Sequence, residues 1–231
     1  MKKQNWKKYA YEFVSIFVAV VSAFALNNWN DNRRDRIAES KILTEIQHGL
    51  EKDRQDVQLN VMGHEFGIRA CAFFRNLINE EEQSLDTLVA YYFEFTRDFV
   101  AIQNASGYET LKSKGFELLK NDSLRTKIIS LYEYDYQLLR KLEEDHGELQ
   151  FFDNYFHEIN RLISPHLEFD VNGQISGIDL PLDLNESDKK LLLSYLWKIQ
   201  QNRRFMLWYY EQVEEKIDEL EKEISSELGH H

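Results

Sequence analysis

The stretch EFVSIFVAVVSAFALNNWN, residues 12–30, is where this chain departs most from an ordinary soluble protein. Residues 13–26 are 14 uncharged, mostly apolar residues. As a helix they cover about 21 Å of a hydrocarbon core about 30 Å thick, and a start at Tyr9 extends this to about 27 Å. Aromatic rings, which favour the membrane interfaces, stand at Trp6, Tyr9, Tyr11 and Trp29. We therefore predict a transmembrane helix over residues 9–29.

Two other interpretations of this stretch are open. A buried core helix is disfavoured because basic residues flank both ends, which suits lipid head groups better than a protein interior. These residues are Lys2, Lys3, Lys7 and Lys8 before the run and Arg33, Arg34 and Arg36 after it. A cleaved signal peptide fits Ala23-Phe24-Ala25, which satisfies an A-x-A cleavage pattern. Against it, Glu12 abuts the apolar run, and a helical pattern continues beyond the run.

The predicted span has two unlike faces. Small or polar residues repeat at helical spacing on one face, and bulky residues repeat on the nearly opposite face. The small face consists of Glu12, Ser15, Ala19, Ser22 and Leu26, and the bulky face of Phe13, Phe17, Val20 and Phe24. In lipid, close backbone approach over small residues brings helices together. The small face therefore predicts a homo-oligomer.

Glu12 raises an alternative function for such an oligomer. It lies about one turn inside the interface, where a carboxylate costs less than at mid-bilayer, and Lys8 is a potential partner at i−4. Self-association would gather one Glu12 from every subunit into a ring. Carboxylate rings select cations at the mouths of many channels. A homo-oligomeric ion channel or pore lined by the N-terminal helices is therefore the second hypothesis.

The composition limits the class of protein. With 40 acidic and 28 basic residues the net charge is −12, which repels phosphates, so nucleic acid is not an expected partner. Cys71 is the single cysteine and lies in the apolar stretch IRACAFF, so we expect a buried, inert thiol. Two prolines and nine glycines leave few helix breakers. These features predict a mainly α fold.

The rest of the chain divides by pattern. After a basic tail (1–8) and the span, a stalk helix is predicted over 30–62, followed by an acidic helical domain over 63–228. Asn172-Gly173 predicts a small β-hairpin. A long, coiled-coil-like C-terminal helix is expected from Asn185 or Ser187 to about Leu228, with only Arg203 interrupting its apolar heptad. Residues 229–231 resemble the remnant of a purification tag.

No enzymatic motif, cofactor motif or strong metal motif is present. The spacing of a calcium loop occurs once, but position 12 is a short Asp and Pro181 follows it, so a plain hairpin is the preferred interpretation. The weak metal candidates are Glu168, Asp170, Asn172 and Asp179. We expect neither an enzyme nor a bound cofactor.

Three segments carry a resemblance to a known family: KYAYEFVSIFVAVVSAFALNNWNDNRRDR, KILTEIQHGLEKD and YETLKSKGFELLKNDSLRTKIISLY. The chain resembles small bacterial single-span membrane proteins that are catalogued only as a domain of unknown function. Shared features are a Glu at the head of the span, an Asn-Asn-Trp-Asn exit, and an aromatic-x-x-Leu-x-x-x-Gly followed by Asn-Asp-x-Leu-Arg. The resemblance implies a retained membrane anchor and supplies no catalytic residues.

The expected location is the bacterial inner membrane. Four lysines precede the span and Arg33, Arg34, Arg36 and Lys41 follow it, so the charge count is nearly even. A short lysine-rich N-terminal tail usually stays inside, which favours a periplasmic domain over a cytoplasmic one. The expected function is a self-associating interaction, scaffold or sensor module that contacts membrane lipid and an unidentified protein partner.

Overall fold

The computed structural model describes residues 3–229, with side chains from Trp6 onward, so Met1, Lys2 and the histidines of the expected tag remnant lie outside the described residues. The mainly α fold with one small hairpin is confirmed. In chain order, a long helix at each end flanks a series of short elements. The elements are α1 (Lys3–Ile78), α2 (Leu88–Glu94), α3 (Ser106–Lys114), α4 (Asp122–Ser130), α5 (Tyr136–Glu144), α6 (His157–Ile163), β1 (Leu167–Phe169), β2 (Ile175–Ile178) and α7 (Glu186–Gly229).

Helix α1 is unbroken over 76 residues, or about 114 Å at 1.5 Å per residue. Residues 6–37 are exposed on all sides, whereas from Glu39 onward the helix is packed into a globular part, here called the head (residues 38–229). Its apolar seam Leu43, Ile46 and Leu50 is fully buried. The expected span and stalk therefore belong to one helix, and most of the stalk is part of the head core.

Two glycines lie inside α1 at the predicted boundary between the stalk (30–62) and the helical domain (63–228). Gly63 and Gly67 separate the predicted stalk from the predicted helical domain, yet the helix runs through both to Ile78. A Cβ atom at Gly63 would lie 2.4 Å from the ring of Phe99, and one at Gly67 would lie 2.4 Å from Arg203 Nε. The glycines admit neighbouring side chains to the helix backbone, a use of glycine unrelated to chain breaking.

Helix α7 begins and ends close to the predicted positions, at Glu186 and Gly229. Asn185 caps it, since its Oδ1 accepts a hydrogen bond of 2.9 Å from the backbone N–H of Asp188. The helix runs antiparallel to α1 along the head. Side-chain contacts mark the register: Gln47 with Ser225, Arg54 with Asp218, and Gln58 with Glu214. Together α1 and α7 form the helix pair on which the head is built.

The short elements pack against this pair and complete the core, with α2 and α3 on α1 and α4, α5 and α6 on α7. Helices α4 and α5 are joined by a π-helical turn (Leu131–Asp135), and α6 is preceded by a second one (Phe152–Phe156). The predicted hairpin is confirmed: β1 and β2 pair antiparallel, with Leu167 opposite Ile178. Its turn contains Gly173 at φ 75°, a conformation that favours glycine.

Candidate functional site

The predicted span is uncovered in the described chain. Helix α1 is long and apolar enough to cross a membrane, and none of the residues in its most apolar window is buried. This exposure excludes the buried core helix within the monomer. Bulky side chains such as Phe13 and Phe24 are 70% and 74% exposed. Exposing so much apolar surface to water is unfavourable, so this part of the helix requires lipid or another protein surface.

The small-face residues of the span lie on one side of α1, as helical spacing requires, and no other element meets them. Ser15 Oγ donates a hydrogen bond of 2.9 Å to the carbonyl of Tyr11 within the same helix. The Glu12 carboxylate lies 4.0 Å from Lys8 Nζ, as the i−4 spacing predicted. The opposite face is stiffened by stacking of Phe13 on Phe17, with ring centroids 6.3 Å apart. The small face is therefore open to a partner.

A basic cleft lies where the exposed helix enters the head. It has a volume of about 620 Å³ and is lined by Arg34 and Lys41 of α1 and Lys114 at the end of α3. Asp31 and Asp35 also line it. Within the described residues none of the three basic groups forms an ion pair. The cleft thus carries more basic than acidic side chains, in a chain whose net charge is −12.

Acidic side chains from α1 and α5 hold the loop that joins α2 to α3. The backbone N–H groups of Ala101, Ile102 and Asn104 donate to Glu143, Asp56 and Asp53 at 3.1, 2.7 and 2.6 Å. Burial raises the pKa of Asp53, and it raises the pKa of Glu143 to about 7 against the lowering effect of hydrogen bonds from Tyr210 and Ala101. These carboxylates fix an irregular loop to the regular helices.

Arg203 of α7 is fully buried in the head, and among the described residues no carboxylate forms an ion pair with it. Its Nη2 donates to the carbonyls of Phe95 and Arg97 at 3.0 and 2.8 Å, at the end of α2. Its guanidinium carbon lies 4.4 Å from the ring centroid of Phe151. Burial lowers its pKa to about 10. The residue that interrupts the heptad thus binds the negative end of a short helix and joins it to α7.

His64 contacts this arginine from α1. Its Nδ1 lies 3.2 Å from Arg203 Nη1, and its ring contacts Phe99 and Tyr210. Burial, with the charge of Arg203 in second place, holds the pKa of His64 well below its usual range, so the ring is neutral and Nδ1 accepts. The nearby Cys71 is fully buried and burial raises its pKa to about 12, which confirms a buried thiol.

A pocket bounded by aromatic rings lies at the surface beside this cluster. Its volume is about 520 Å³, between α2 and the π-helical turn before α6. Tyr92 and Phe93 form one side and Phe152 and Phe156 the other, with Asp98 and Asp153 among the lining residues. The sequence analysis did not predict this site, although the segment FFDNYF (151–156) places Phe152 and Phe156 four residues apart.

The structure forms no metal centre from the weak candidates in the hairpin. Asp170 accepts hydrogen bonds from Asn172 and Gln174 within its own turn, and these bonds, with that from Gln174 first, lower its pKa. Glu168 and Asp179 lie in and beside the strands. Within residues 3–229 no group of three or more His, Cys, Asp or Glu side chains lies close enough to hold a metal ion.

The class of molecule follows from these features: a mainly α protein in which one helix reaches from an exposed apolar segment into a helical head. No family model matches the chain, and comparison with curated proteins and with solved structures finds no match.

Proposed function

We propose that this is a single-span membrane protein that self-associates through its N-terminal helix and acts as an interaction, scaffold or sensor module. The observation that carries the proposal is the division of α1 into a fully exposed apolar part and a part buried in the head. The exposed part fits a bilayer by length and by its flanking aromatic and basic residues. The resemblance to single-span bacterial proteins implies a retained membrane anchor, and the lysine-rich N-terminal tail favours an inner-membrane span with the head in the periplasm.

Self-association is supported by the chemistry of the small face. Ala19 and Ser22 allow a second helix backbone to approach closely, while Phe13, Phe17 and Phe24 of the other face suit contact with lipid chains. Within the described chain no element competes with a partner for this face.

Continuity of α1 supports a scaffold or sensor role. Because the helix passes unbroken through Gly63 and Gly67 into the core, a rotation or displacement of the span is carried directly to the head surfaces. Within the head, α7 is bound to the continuation of this helix, since Gln47 and Gln58 donate hydrogen bonds to Ser225 and Glu214.

The mass of the detergent-extracted particle tests self-association. We expect an oligomer for the wild type and a shift toward the monomer for Ala19→Leu, because leucine separates the helix backbones. Val20→Leu is the matched control, since it introduces the same residue at the neighbouring position on the bulky face. A monomeric wild type, or equal masses for the wild type and Ala19→Leu, would contradict the proposal.

A pore is the second candidate, favoured by the position of Glu12 on the same open face. If the small faces surround an aqueous path, proteoliposomes will pass monovalent cations, and Glu12→Gln will reduce the preference for cations over anions. Absence of flux from correctly inserted oligomers would exclude the pore and leave the scaffold role intact. Flux with selectivity unchanged by Glu12→Gln would remove Glu12 from the selectivity step.

A further inference from the structure

The aromatic pocket of the head has the construction of a ligand site. Phe152 and Phe156 stack with ring centroids 4.6 Å apart and planes at 12°, so they form a continuous wall. The two rings stand at the first and last residues of the π-helical turn Phe152–Phe156. Opposite them, the Tyr92 hydroxyl donates to Asn160 Oδ1, which fixes that ring. Contacts within the head therefore fix both walls of the pocket.

Core packing does not account for these rings. Phe95 and Phe151 are each 1% exposed and supply the core contacts of α2 and of the turn. Their neighbours Phe93 and Phe152 are 69% and 46% exposed at the pocket. An exposed phenylalanine is unremarkable alone, but rings from two elements converging on one concave surface indicate a recognition site.

The charges at the pocket are predominantly acidic. Asp98 uses its two oxygens to accept the backbone N–H groups of Phe151 and Phe152, at 2.7 and 3.4 Å. Burial raises the pKa of Asp98, and the charge of Asp153 raises it further, while those hydrogen bonds and the Arg203 charge act in the opposite direction. In the part of the chain that the structure describes, neither Asp98 nor Asp153 forms an ion pair.

The basic groups nearby are already engaged. Arg97 lines the pocket, but its Nη1 lies 2.8 Å from Glu94 and its guanidinium lies over the ring of Phe93. Arg203 lies beneath the pocket and donates to backbone carbonyls. An incoming anion would meet two carboxylates, whereas an incoming cation would meet carboxylates and the faces of aromatic rings.

We propose that this pocket binds a small organic ammonium ion with an apolar body. The ammonium group lies near Asp98 and Asp153 against the ring faces, and the apolar body fills the space between Phe93 and the stacked pair Phe152–Phe156. Ring faces attract cations through their quadrupole, and the half-buried Asp98 carboxylate, with the exposed Asp153 carboxylate beside the pocket, adds a direct electrostatic attraction. The proposal deepens the proposed function, because it gives the head of a sensor or interaction module a ligand class.

The test uses three probes of equal length: 3-phenylpropylammonium, 3-phenylpropanol and 3-phenylpropionate. Binding to the full chain in non-ionic detergent is measured by titration calorimetry, with detergent alone subtracted. We expect the order ammonium, alcohol, carboxylate, with at least a fivefold difference between the first two. No binding of any probe, or equal binding of the ammonium and carboxylate probes, overturns the proposal.

Two substitutions assign binding to the pocket. Asp153→Asn should weaken the ammonium probe about fivefold and leave the alcohol unchanged, while Phe152→Ala should weaken both about tenfold. The matched controls are Asp145→Asn, an exposed acid elsewhere, and Phe205→Ala, a ring 43% exposed on α7; neither should alter binding. Equal effects of the pocket and control variants would place the probe elsewhere and overturn the assignment. Because binding does not require self-association, failure here and a monomeric mass are separate outcomes.

Discussion

The two parts of α1 differ in what surrounds them, although one hydrogen-bonded helix contains both. Residues 6–37 are exposed, whereas from Glu39 to Ile78 the helix is enclosed by α2, α3 and α7. The exposed part has small residues in a row on an open face; the buried part has glycines beneath Phe99 and Arg203. In the head, close approach to the helix backbone is satisfied within the monomer, whereas in the span the proposed self-association would supply it from a second copy.

Removing Arg203 is the strongest way to break the packed part. Arg203→Met leaves the carbonyls of Phe95 and Arg97 without donors, so we expect a loss of about 4 kcal/mol in the free energy of unfolding. Urea unfolding in detergent, followed by circular dichroism, measures the change. Arg204→Met, an exposed neighbour on the same helix, is the control and should change little. A loss below about 1 kcal/mol would show that methionine packing compensates for the lost hydrogen bonds.

The second-largest expected loss of stability comes from adding a methyl group where α3 contacts α1. At Gly107 of α3 a Cβ atom would lie 2.7 Å from the backbone nitrogen of Ile46, which cannot move independently of α1. Gly107→Ala should therefore lower the free energy of unfolding by about 3 kcal/mol despite the better helix propensity of alanine. At Gly147 an added Cβ meets nothing within 4 Å, so Gly147→Ala is the control. Equal stabilities of the two variants would refute the close-contact argument.

The pH dependence of head stability is a third measure of the packed part. The folded-state pKa of Glu143, about 7, lies above its ordinary value of 4.5. The folded protein therefore keeps this proton longer than the unfolded chain, and the stability present below pH 4.5 is lost as pH rises to about 7. We expect this residue to contribute a decrease of about 2 kcal/mol over that range. Glu143→Gln should remove that contribution.

Because His64 also changes the pH dependence of stability, the contribution of Glu143 is measured as the difference between the wild type and a Glu143 variant. The depressed pKa of His64 works in the opposite direction, because the unfolded chain gains the proton first as pH falls below about 6.5. The difference between the wild type and Glu143→Gln cancels this effect, since both retain His64. Glu144→Gln, at an exposed neighbouring acid, should keep the wild-type slope. Parallel pH profiles for the wild type and Glu143→Gln would contradict the assignment.

The features predicted from sequence were those with a strong local signal. The long α7 followed from its apolar spacing and the cap at Asn185, and the hairpin from Asn172-Gly173. The continuity of α1 through Gly63 was missed, because the ring that requires the glycine is Phe99, 36 positions away. The pocket was missed for the same reason: Asp98 and Phe152 are distant in sequence and meet only through the tertiary fold.

The smallest expected change in head stability is for a substitution in the span, and it distinguishes the exposed part of α1 from the packed part. Ala19→Leu, which should disrupt the oligomer, should change the free energy of unfolding of the head by less than about 0.5 kcal/mol, because no head residue contacts the span. Val20→Leu should behave identically in this measurement while leaving the mass unchanged. Suppose instead that Ala19→Leu, but not Val20→Leu, clearly lowers the free energy of unfolding of the head. The heads would then contact one another in the oligomer, and the open face of the span would be only part of the interface.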